Sequence, residues 1–325
     1  MKSLLAVAFA SVYGLSIRLL FGFLDNIMGI MSVTFLVLVP MLIGFVTIIV
    51  IPKQKGINGV GAFFLPWLTS LVILVITMLL NIEGSICWIM IYPFFAILAG
   101  LGGLIAYYIK RGRAKNMNDT NDFGKPTTLN MSLLFLLPAF AGYVEGEKTL
   151  TPRHFNISEE IVIAASPKEV WKQLTHINEL ESKEEKSSFS GMLGFPRHLR
   201  TVLDTPAIGG KRIAIYEKGL YFKETISKYE PEHFMALDIK TDPKNIPPTV
   251  MDEHILIGGK HIDILEDIYK LEQLPDGKSR LTLSTRFYIN TPFNWYSGIW
   301  ANYLMKDILQ EELELIKTRA TTKLN

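Results

Sequence analysis

Two oppositely charged residues, Arg212 and Glu224, are the best candidates for chemistry in this sequence of 325 residues. Each lies in a segment whose apolar residues alternate as they do in a β-strand, and the turn Lys218-Gly219 joins the two segments. If this turn carries a glycine bulge, the two side chains are directly opposed and can form an ion pair. The pair is either a polar anchor in a ligand cavity or a purely structural contact. If the protein is an enzyme, Glu224 is the acid–base candidate.

The sequence lacks the motifs of common catalytic and metal sites. It contains no H-E-x-x-H, P-loop or C-x-x-C pattern and no recognisable serine-histidine-aspartate arrangement. His254 and His261 flank two glycines beside acidic residues, but their spacing matches no metal-ligand pattern, so we interpret this segment as a polar loop. We therefore predict neither a metal nor a cofactor, and whether the protein is an enzyme stays open.

Strand periodicity places further side chains on the same face as the charged pair. They comprise a neighbour on each of the two strands, two residues of the last strand, and two apolar residues of the helix that follows. With the pair itself, the predicted ligand-binding residues are Arg212, Tyr216, Phe222, Glu224, Thr285, Phe287, Trp300 and Leu304.

The elements that position these residues follow from turn and cap signals. Ser166-Pro167-Lys168-Glu169 is a capping box that begins a short helix, and a run of alternating segments then predicts consecutive antiparallel strands. Thr291-Pro292 begins the longest helix of the C-terminal half, which has an apolar stripe from Trp300 through Leu304 and Ile308 to Ile316. We predict an α+β domain in which a curved antiparallel sheet surrounds this C-terminal helix. The aromatic residues Trp295 and Tyr296 belong either to its core or to a membrane interface.

The first 144 residues have a different character, because they hold apolar segments of membrane-spanning length. We predict an all-α transmembrane bundle of four or five helices, then a linker over 145–154 and the α+β domain over 155–325. The predicted spans are 4–24, 27–51, 60–80, 86–109 and the shorter, proline-interrupted 127–144. The net charge of +2 gives no reason to expect nucleic-acid binding.

Basic residues predict the orientation of these helices. Lysine and arginine residues occur before the first span, between the second and third, and between the fourth and fifth, whereas the other two short loops have none. With five spans the N-terminus is cytoplasmic and the C-terminal domain lies outside the cytoplasm; with four the domain lies inside. We expect an integral protein of the bacterial inner membrane. Arg18, the one charged residue within the spans, is expected to reach the headgroups.

Three segments carry a resemblance to a known family. They are IAASPKEVWKQL at 163–174, GGKRIAIYEKGLYFKETISKYEP at 209–231 and GKSRLTLSTRFYI at 277–289. In this order, before a long terminal helix, they resemble the helix-grip superfamily (START-like, SRPBCC, polyketide cyclase/dehydrase) over about 155–320. The chain is also similar to bacterial proteins that join several membrane helices to such a domain. The resemblance implies an apolar cavity between sheet and helix that holds a lipid-like or polycyclic ligand.

Three functions fit these observations. The first is a membrane-anchored module that binds a hydrophobic or lipid-like molecule, the second is a cyclase/dehydrase-type enzyme, and the third is a structural or regulatory membrane protein without a ligand. A closed apolar cavity with one polar group favours binding, and two or more convergent titratable groups favour catalysis. A cavity filled by Phe222, Phe287 and Trp300 favours the third. Both ligand-dependent functions require a void of roughly 300 Å³. Besides the lipid bilayer and this ligand we name no partner, and the oligomeric state stays open.

Overall fold

The computed structural model describes residues 2–24, 32–52, 57–80, 82–116, 131–145, 151–175, 188–241 and 256–322. The chain divides into two compact units: Met1–Glu83 with Cys87–Leu150, and Gly84–Ile86 with Thr151–Asn325. The first is helical and the second contains all seven strands of one sheet. This division agrees with the predicted order of an apolar helical region and an α+β domain.

The helical unit contains five α-helices in its described residues. They are α1 (Lys2–Phe23), α2 (Val39–Ile49), α3 (Gly59–Leu79), α4 (Ser85–Asn116) and α5 (Met131–Glu145), and a π-helical turn (Thr34–Leu38) leads into α2. Three segments of the described chain are long and apolar enough to cross a membrane, namely Ser3–Phe23, Gly59–Leu79 and Trp88–Gly112. They coincide with the predicted spans 4–24, 60–80 and 86–109.

The other two predicted spans have shorter helices in the described residues. Within 27–51 the apolar helix is Thr34–Ile49, and within 127–144 it is α5, with 15 residues. Both are shorter than the roughly 20 residues that a crossing requires. Residues 27–31 and 127–130 lie outside the described residues, as do Lys53, Lys55 and Lys125 of the basic loops. Whether these two segments cross, and hence the topology, stays a prediction.

Glycines allow α2 and α4 to approach each other closely. A Cβ atom on Gly44 would lie 1.8 Å from the carbonyl oxygen of Ala99, and one on Gly102 would lie 1.9 Å from that of Met41. Any side chain at either position would therefore collide with the backbone of the other helix. Small residues commonly have this role in membrane-helix packing, where they let backbones come together.

Charged side chains of the helical unit pair with groups on other segments of the same unit. Arg18 is 8% exposed and its Nε donates to Glu83 over 2.5 Å. A carboxylate supplied by the segment before α4 therefore compensates the charge of Arg18, and its expected position near the headgroups stays a prediction. Glu145 accepts hydrogen bonds from the amides of Val33 and Thr34, over 2.7 and 2.8 Å, before α2.

Lys110 has a structural role at the other end of α2. Its ammonium group donates to the carbonyl oxygens of Ile48, Ile49 and Ile51. A carboxylate at the N-terminal end and a cation at the C-terminal end satisfy free backbone groups and complement the helix dipole. Lys110, which sequence analysis uses only as a marker of topology, also stabilises this helix.

In its described residues, the second unit contains a seven-stranded antiparallel sheet and three α-helices. Its strands are β1 (Arg153–Ile163), β2 (His198–Leu203), β3 (Lys211–Tyr216), β4 (Tyr221–Glu230), β5 (Phe234–Lys240), β6 (Ile262–Gln273) and β7 (Ser279–Ile289). Its helices are α6 (Pro167–Thr175), α7 (Phe189–Met192) and α8 (Asn294–Thr322). The strand order is β1-β7-β6-β5-β4-β3-β2, so the strands at the two edges of the sheet are the first two in the chain. Register shifts interrupt the β2–β3, β4–β5 and β6–β7 pairings, and such bulges bend a sheet.

The predicted cap of α6 is confirmed. The backbone amide of Ser166 donates to the Glu169 carboxylate over 2.9 Å, and the Ser166 hydroxyl group donates to it over 2.8 Å. The helix then packs Val170, Trp171 and Leu174 into the main core with the inner face of the sheet. Local capping chemistry therefore sets where this helix begins, and its apolar face sets how it packs.

The buried face of α8 differs in part from the predicted stripe. Leu313 and Ile316 are buried as expected, but Trp300 and Leu304 are only half-buried. The buried residues of the preceding turns are Met305 and Leu309 instead. The reason is that α8 packs against more than the sheet. The amide of Ser190 donates to Asp307 over 2.7 Å, and the rings of Phe189 and Tyr303 meet edge to face. The spacing of apolar residues along α8 does not show which of these two surfaces each residue packs against.

Candidate functional site

The predicted ion pair is confirmed between β3 and β4, near one edge of the sheet. Arg212 of β3 is directly opposite Glu224 of β4, and its Nη1 donates to the carboxylate over 2.8 Å. The two side chains are only 2% and 4% exposed. The turn between the strands has positive φ at Lys218 (56°) and Gly219 (82°), which gives the register that opposes the pair. A fully buried guanidinium group therefore depends on protein carboxylates for its charge compensation.

A second set of groups holds the other side of Arg212. Its Nη2 lies 3.3 Å from the hydroxyl group of Tyr269 and 3.6 Å from the carboxylate of Glu312. The hydroxyl group of Tyr269 donates to Glu312 over 2.5 Å, and the guanidinium lies over the Tyr269 ring. One buried network thus connects β3, β4, β6 and α8.

Three residues of this site are not among those predicted from the sequence, namely Tyr269, Glu312 and their neighbour Asp267. Asp267 and Tyr269 share one face of β6 by alternation, and Glu312 interrupts the buried side of α8 between Leu309 and Leu313. A carboxylate among apolar helix positions is the signal that could have identified Glu312. This signal indicates a site only when Glu312 is considered together with Arg212. The two residues lie on different elements, so neither segment by itself shows that they pair.

The network lines a cavity between the sheet and α8. Its volume is about 40 Å³, which accommodates a few water molecules, since each requires about 10–15 Å³. Nine of the lining residues are polar or titratable and seven are apolar, so the cavity is not the apolar one that the resemblance implies. It is also well below the roughly 300 Å³ of a drug-sized site. In this conformation a bulky ligand does not fit, which counts against both ligand-dependent functions unless the site enlarges.

A second pocket of about 50 Å³ opens beside the cavity. Four residues line both spaces and form the wall between them: His198, Tyr216, Ile308 and Glu312. The rings of His198 and Tyr216 lie 5.0 Å apart within this wall. Movement of these side chains would join the two spaces, and both Ile308 and Glu312 belong to α8.

Burial shifts the protonation of the acidic groups in the cavity. It raises the pKa of Glu224 to about 7, although the positive charge of Arg212 opposes the shift. Burial also raises the pKa of Asp267 to about 7, and the negative charges of Glu224 and Glu312 raise it further. A hydrogen bond from Thr285 opposes this shift. Burial lowers the pKa of His198 to about 4, so this imidazole is neutral at neutral pH. Both carboxyl groups therefore keep a proton to a higher pH than exposed carboxyl groups do.

Two buried atoms of this cluster lack a hydrogen-bond partner among the described residues. They are Nε of Arg212, a donor, and Oδ1 of Asp267, an acceptor. Buried polar atoms are usually paired, because an unsatisfied group costs roughly 1–3 kcal/mol. Both residues line the same cavity, so its walls contain one donor and one acceptor that no described protein group pairs.

The structure brings together five of the eight predicted ligand-binding residues. Lining the cavity are Arg212, Tyr216, Phe222, Glu224 and Thr285. The other three, Phe287, Trp300 and Leu304, are absent from its described lining. Phe287 is fully buried in the main core and stacks on Phe155 with ring centroids 5.2 Å apart. Trp300 and Leu304 follow the rotation of α8, which turns Met305, Ile308 and Leu309 toward the cavity instead.

The histidine segment that sequence analysis interprets as a polar loop is described only in part. Nδ1 of His261 is hydrogen-bonded to the carbonyl oxygen of Asn290 over 3.0 Å, whereas His254 lies outside the described residues. No group of three or more histidine, cysteine or acidic side chains placed to hold a metal ion occurs in the described part of the chain.

The curved antiparallel sheet and the long C-terminal helix define a helix-grip protein, with a buried polar cluster where the sheet and helix meet. A family model described as polyketide cyclase / dehydrase and lipid transport matches residues 154–321, which is just over half of the chain. The chain belongs to this family, as the resemblance in the sequence predicted. No curated protein matches it.

Solved structures are similar to the C-terminal half at low sequence identity. A truncated norcoclaurine synthase from Thalictrum flavum has 12% identity and a TM-score of 0.32, over 52% of this chain and 95% of its own. Ara h 8.0201 has 11% identity and a TM-score of 0.34, over 52% and 99%. An uncharacterised Rhizobium leguminosarum protein has 11% identity and a TM-score of 0.33, over 54% and 99%. Similarity at this level carries no functional information.

Proposed function

We propose that the C-terminal domain binds a small amphipathic molecule whose polar group enters the cavity at Arg212 and Asp267, and that the apolar helices anchor this domain at a membrane. The observation that carries the proposal is the pair of buried atoms without a protein partner, Nε of Arg212 and Oδ1 of Asp267, in one cavity. A hydroxyl or amide group can satisfy both, because each accepts one hydrogen bond and donates another.

The size of the cavity decides which part of the ligand it holds. About 40 Å³ has room for a polar group but not for an apolar tail. We infer that the tail occupies the adjoining pocket after the shared wall of His198, Tyr216, Ile308 and Glu312 moves aside. This wall includes two residues of α8, so a small displacement of one helix enlarges the site. Family membership supports a ligand of this kind, since the family includes lipid transport proteins.

A second candidate function is acid–base catalysis, which the convergence of titratable groups favours. Glu224 is already engaged by Arg212, whereas Oδ1 of Asp267 has no described protein partner. Asp267 is therefore the better candidate for exchanging a proton with a bound substrate. A pKa near 7 suits this role, because both protonation states are then populated at neutral pH.

Mass spectrometry of molecules that co-purify with the full-length protein tests both candidates. We expect a compound enriched over a lipid and detergent blank in the wild type and depleted in Asp267→Asn. The matched control is Glu266→Gln, which removes a partly exposed carboxylate of the same strand that pairs with Arg286 over 3.2 Å. If no compound is enriched, or if both variants retain it equally, the binding proposal is wrong.

The same extracts distinguish binding from catalysis. A binding protein carries one compound in the wild type and in Glu224→Gln, with changed occupancy only. An enzyme that uses the buried acids carries a product in the wild type and its unconverted substrate in an inactive variant. A mass difference between the two extracts would favour catalysis, and identical masses would exclude it.

A further inference from the structure

The first half of α8 exposes three large side chains along one line. Trp295, Ile299 and Tyr303 follow each other at intervals of four residues and are 60%, 63% and 54% exposed. Such spacing places them on one side of a helix. Isolated exposed apolar residues are ordinary on protein surfaces, but three in a row form a continuous apolar strip. We call these three residues the aromatic face.

The aromatic face begins where the chain enters the domain. The side-chain amide of Asn294, the residue before Trp295, donates to the carbonyl oxygen of Thr151 over 3.1 Å. Thr151 follows Glu145, the last residue of α5, by six residues. Six residues span at most about 22 Å even when fully extended. Only six residues therefore connect the end of an apolar helix to the residue that Asn294 contacts.

Positive charge accompanies the aromatic face. Arg153 is exposed two residues after Thr151. Lys306 lies eleven residues after Trp295, which is about three helical turns and hence the same line of α8. Its side chain is 56% exposed and its ammonium group lies 3.6 Å from the carboxylate of Glu159. Tryptophan and tyrosine favour the membrane–water interface, and basic residues beside an apolar strip favour anionic headgroups.

We propose that the aromatic face of α8 is a membrane-contact surface that inserts shallowly among the lipid headgroups of the bilayer that anchors the chain. The partner is a lipid surface rather than another protein, because the same chain supplies apolar helices and only six residues connect the end of one of them to the residue that Asn294 contacts. The inference rests on the membrane anchoring proposed above and is independent of whether the cavity binds a ligand.

Site-directed fluorescence of the full-length protein in lipid vesicles tests the proposal. In a Cys87→Ala background, an environment-sensitive label is attached after Ile299→Cys, and vesicles of phosphatidylcholine with and without phosphatidylglycerol carry a nitroxide on the headgroup or on the upper acyl chain. We expect a blue-shifted emission and strong quenching by the shallow nitroxides, since interfacial helices bury their apolar side roughly 5–10 Å deep. Quenching should increase with phosphatidylglycerol.

The matched control is Ile208→Cys, which labels an isoleucine that is 71% exposed, compared with 63% for Ile299, in the loop between β2 and β3. This label should remain in water. Equal, water-like emission at both positions in a correctly inserted protein would overturn the proposal. Concentration-dependent energy transfer between copies labelled after Ile299→Cys, without nitroxide quenching, would overturn it in favour of a contact between two copies. Tyr303→Cys repeats the measurement if the first variant does not fold.

Failure here is distinguishable from failure of the proposed function. Asp267→Asn should deplete the co-purifying compound and leave the quenching at position 299 unchanged. A protein that does not insert into vesicles contradicts the membrane anchoring itself. An inserted protein whose label at position 299 stays in water contradicts only the contact surface.

Discussion

Arg212 is the residue on which the candidate site depends, because its charge is buried and fixed. Glu224 compensates it on one side, and Tyr269 with Glu312 compensates it on the other. Replacing a buried ion pair by apolar residues is often neutral for stability, whereas removing one partner is costly. The two interpretations of the pair, structural contact and ligand anchor, therefore predict different results for a double substitution.

We predict that Glu224→Leu lowers the free energy of unfolding by about 3–5 kcal/mol, because Arg212 then keeps only the more distant Glu312 carboxylate. Adding Arg212→Met should restore most of this loss. Thermal unfolding followed by near-ultraviolet circular dichroism measures both. If the stable double variant still carries the co-purifying compound, the pair is structural only. If it is stable and empty, the pair anchors the ligand.

We predict that Asp267 makes the domain less stable as the pH rises from about 4 to about 7. Its folded pKa is raised to about 7, so over this range the folded state holds a proton that the unfolded state has lost. The resulting decrease is at most about 1.4 kcal/mol per pH unit. Glu224 acts in the same direction, whereas His198, with a lowered pKa, acts in the opposite direction below pH 6.5.

Comparison with Asp267→Asn isolates this contribution, because the other titratable groups around the cavity are kept. Chemical denaturation at a series of pH values should give a smaller decrease with pH for the variant than for the wild type. Identical slopes would mean that the Asp267 carboxyl group has an ordinary pKa and that the cavity is more hydrated than its burial indicates.

At the scale of elements, features encoded within a few consecutive residues were predictable, whereas contacts between distant segments were not. The cap at Ser166 and the turn at Lys218-Gly219 are encoded within a few residues, so the start of α6 and the Arg212–Glu224 register were both predictable. The orientation of α8 was not, because its apolar residues contact both the sheet and the segment around Ser190. The site was half predicted for the same reason: β3 and β4 form a hairpin, whereas β6 and α8 join it only through tertiary packing.

We predict that Gly102→Ala destabilises the helical unit and that Gly112→Ala does not. The added Cβ at Gly102 would lie 1.9 Å from the carbonyl oxygen of Met41, whereas at Gly112, in the same helix, it would meet nothing within 4 Å. Forcing the backbones apart should cost roughly 1–3 kcal/mol, while alanine in an open helical position is neutral or slightly favourable. Unfolding of the full chain in detergent measures the difference, and equal stabilities would contradict the close approach of α2 and α4.

At the scale of the whole molecule, the number of crossings decides which side of the membrane the domain occupies. Five crossings and three crossings both place it opposite the N-terminus, whereas four place it on the same side. The structure gives a reason to test three as well, because the described helices of the second and fifth predicted spans have only 16 and 15 residues. A reporter at the C-terminus alone cannot separate five crossings from three.

We predict five crossings, and the basic loops require the second span to cross, because without it Lys53 and Lys55 would lie outside the cytoplasm. A reporter that is active only in the periplasm, fused after Asn325 in a bacterial host, should be active. In a Cys87→Ala background, Lys55→Cys between the second and third spans should resist a membrane-impermeant thiol reagent in intact cells and react once the cells are opened. An active reporter with a reactive position 55 would mean that the second and fifth segments do not cross. An inactive reporter would place the domain, its cavity and the aromatic face of α8 at the inner leaflet.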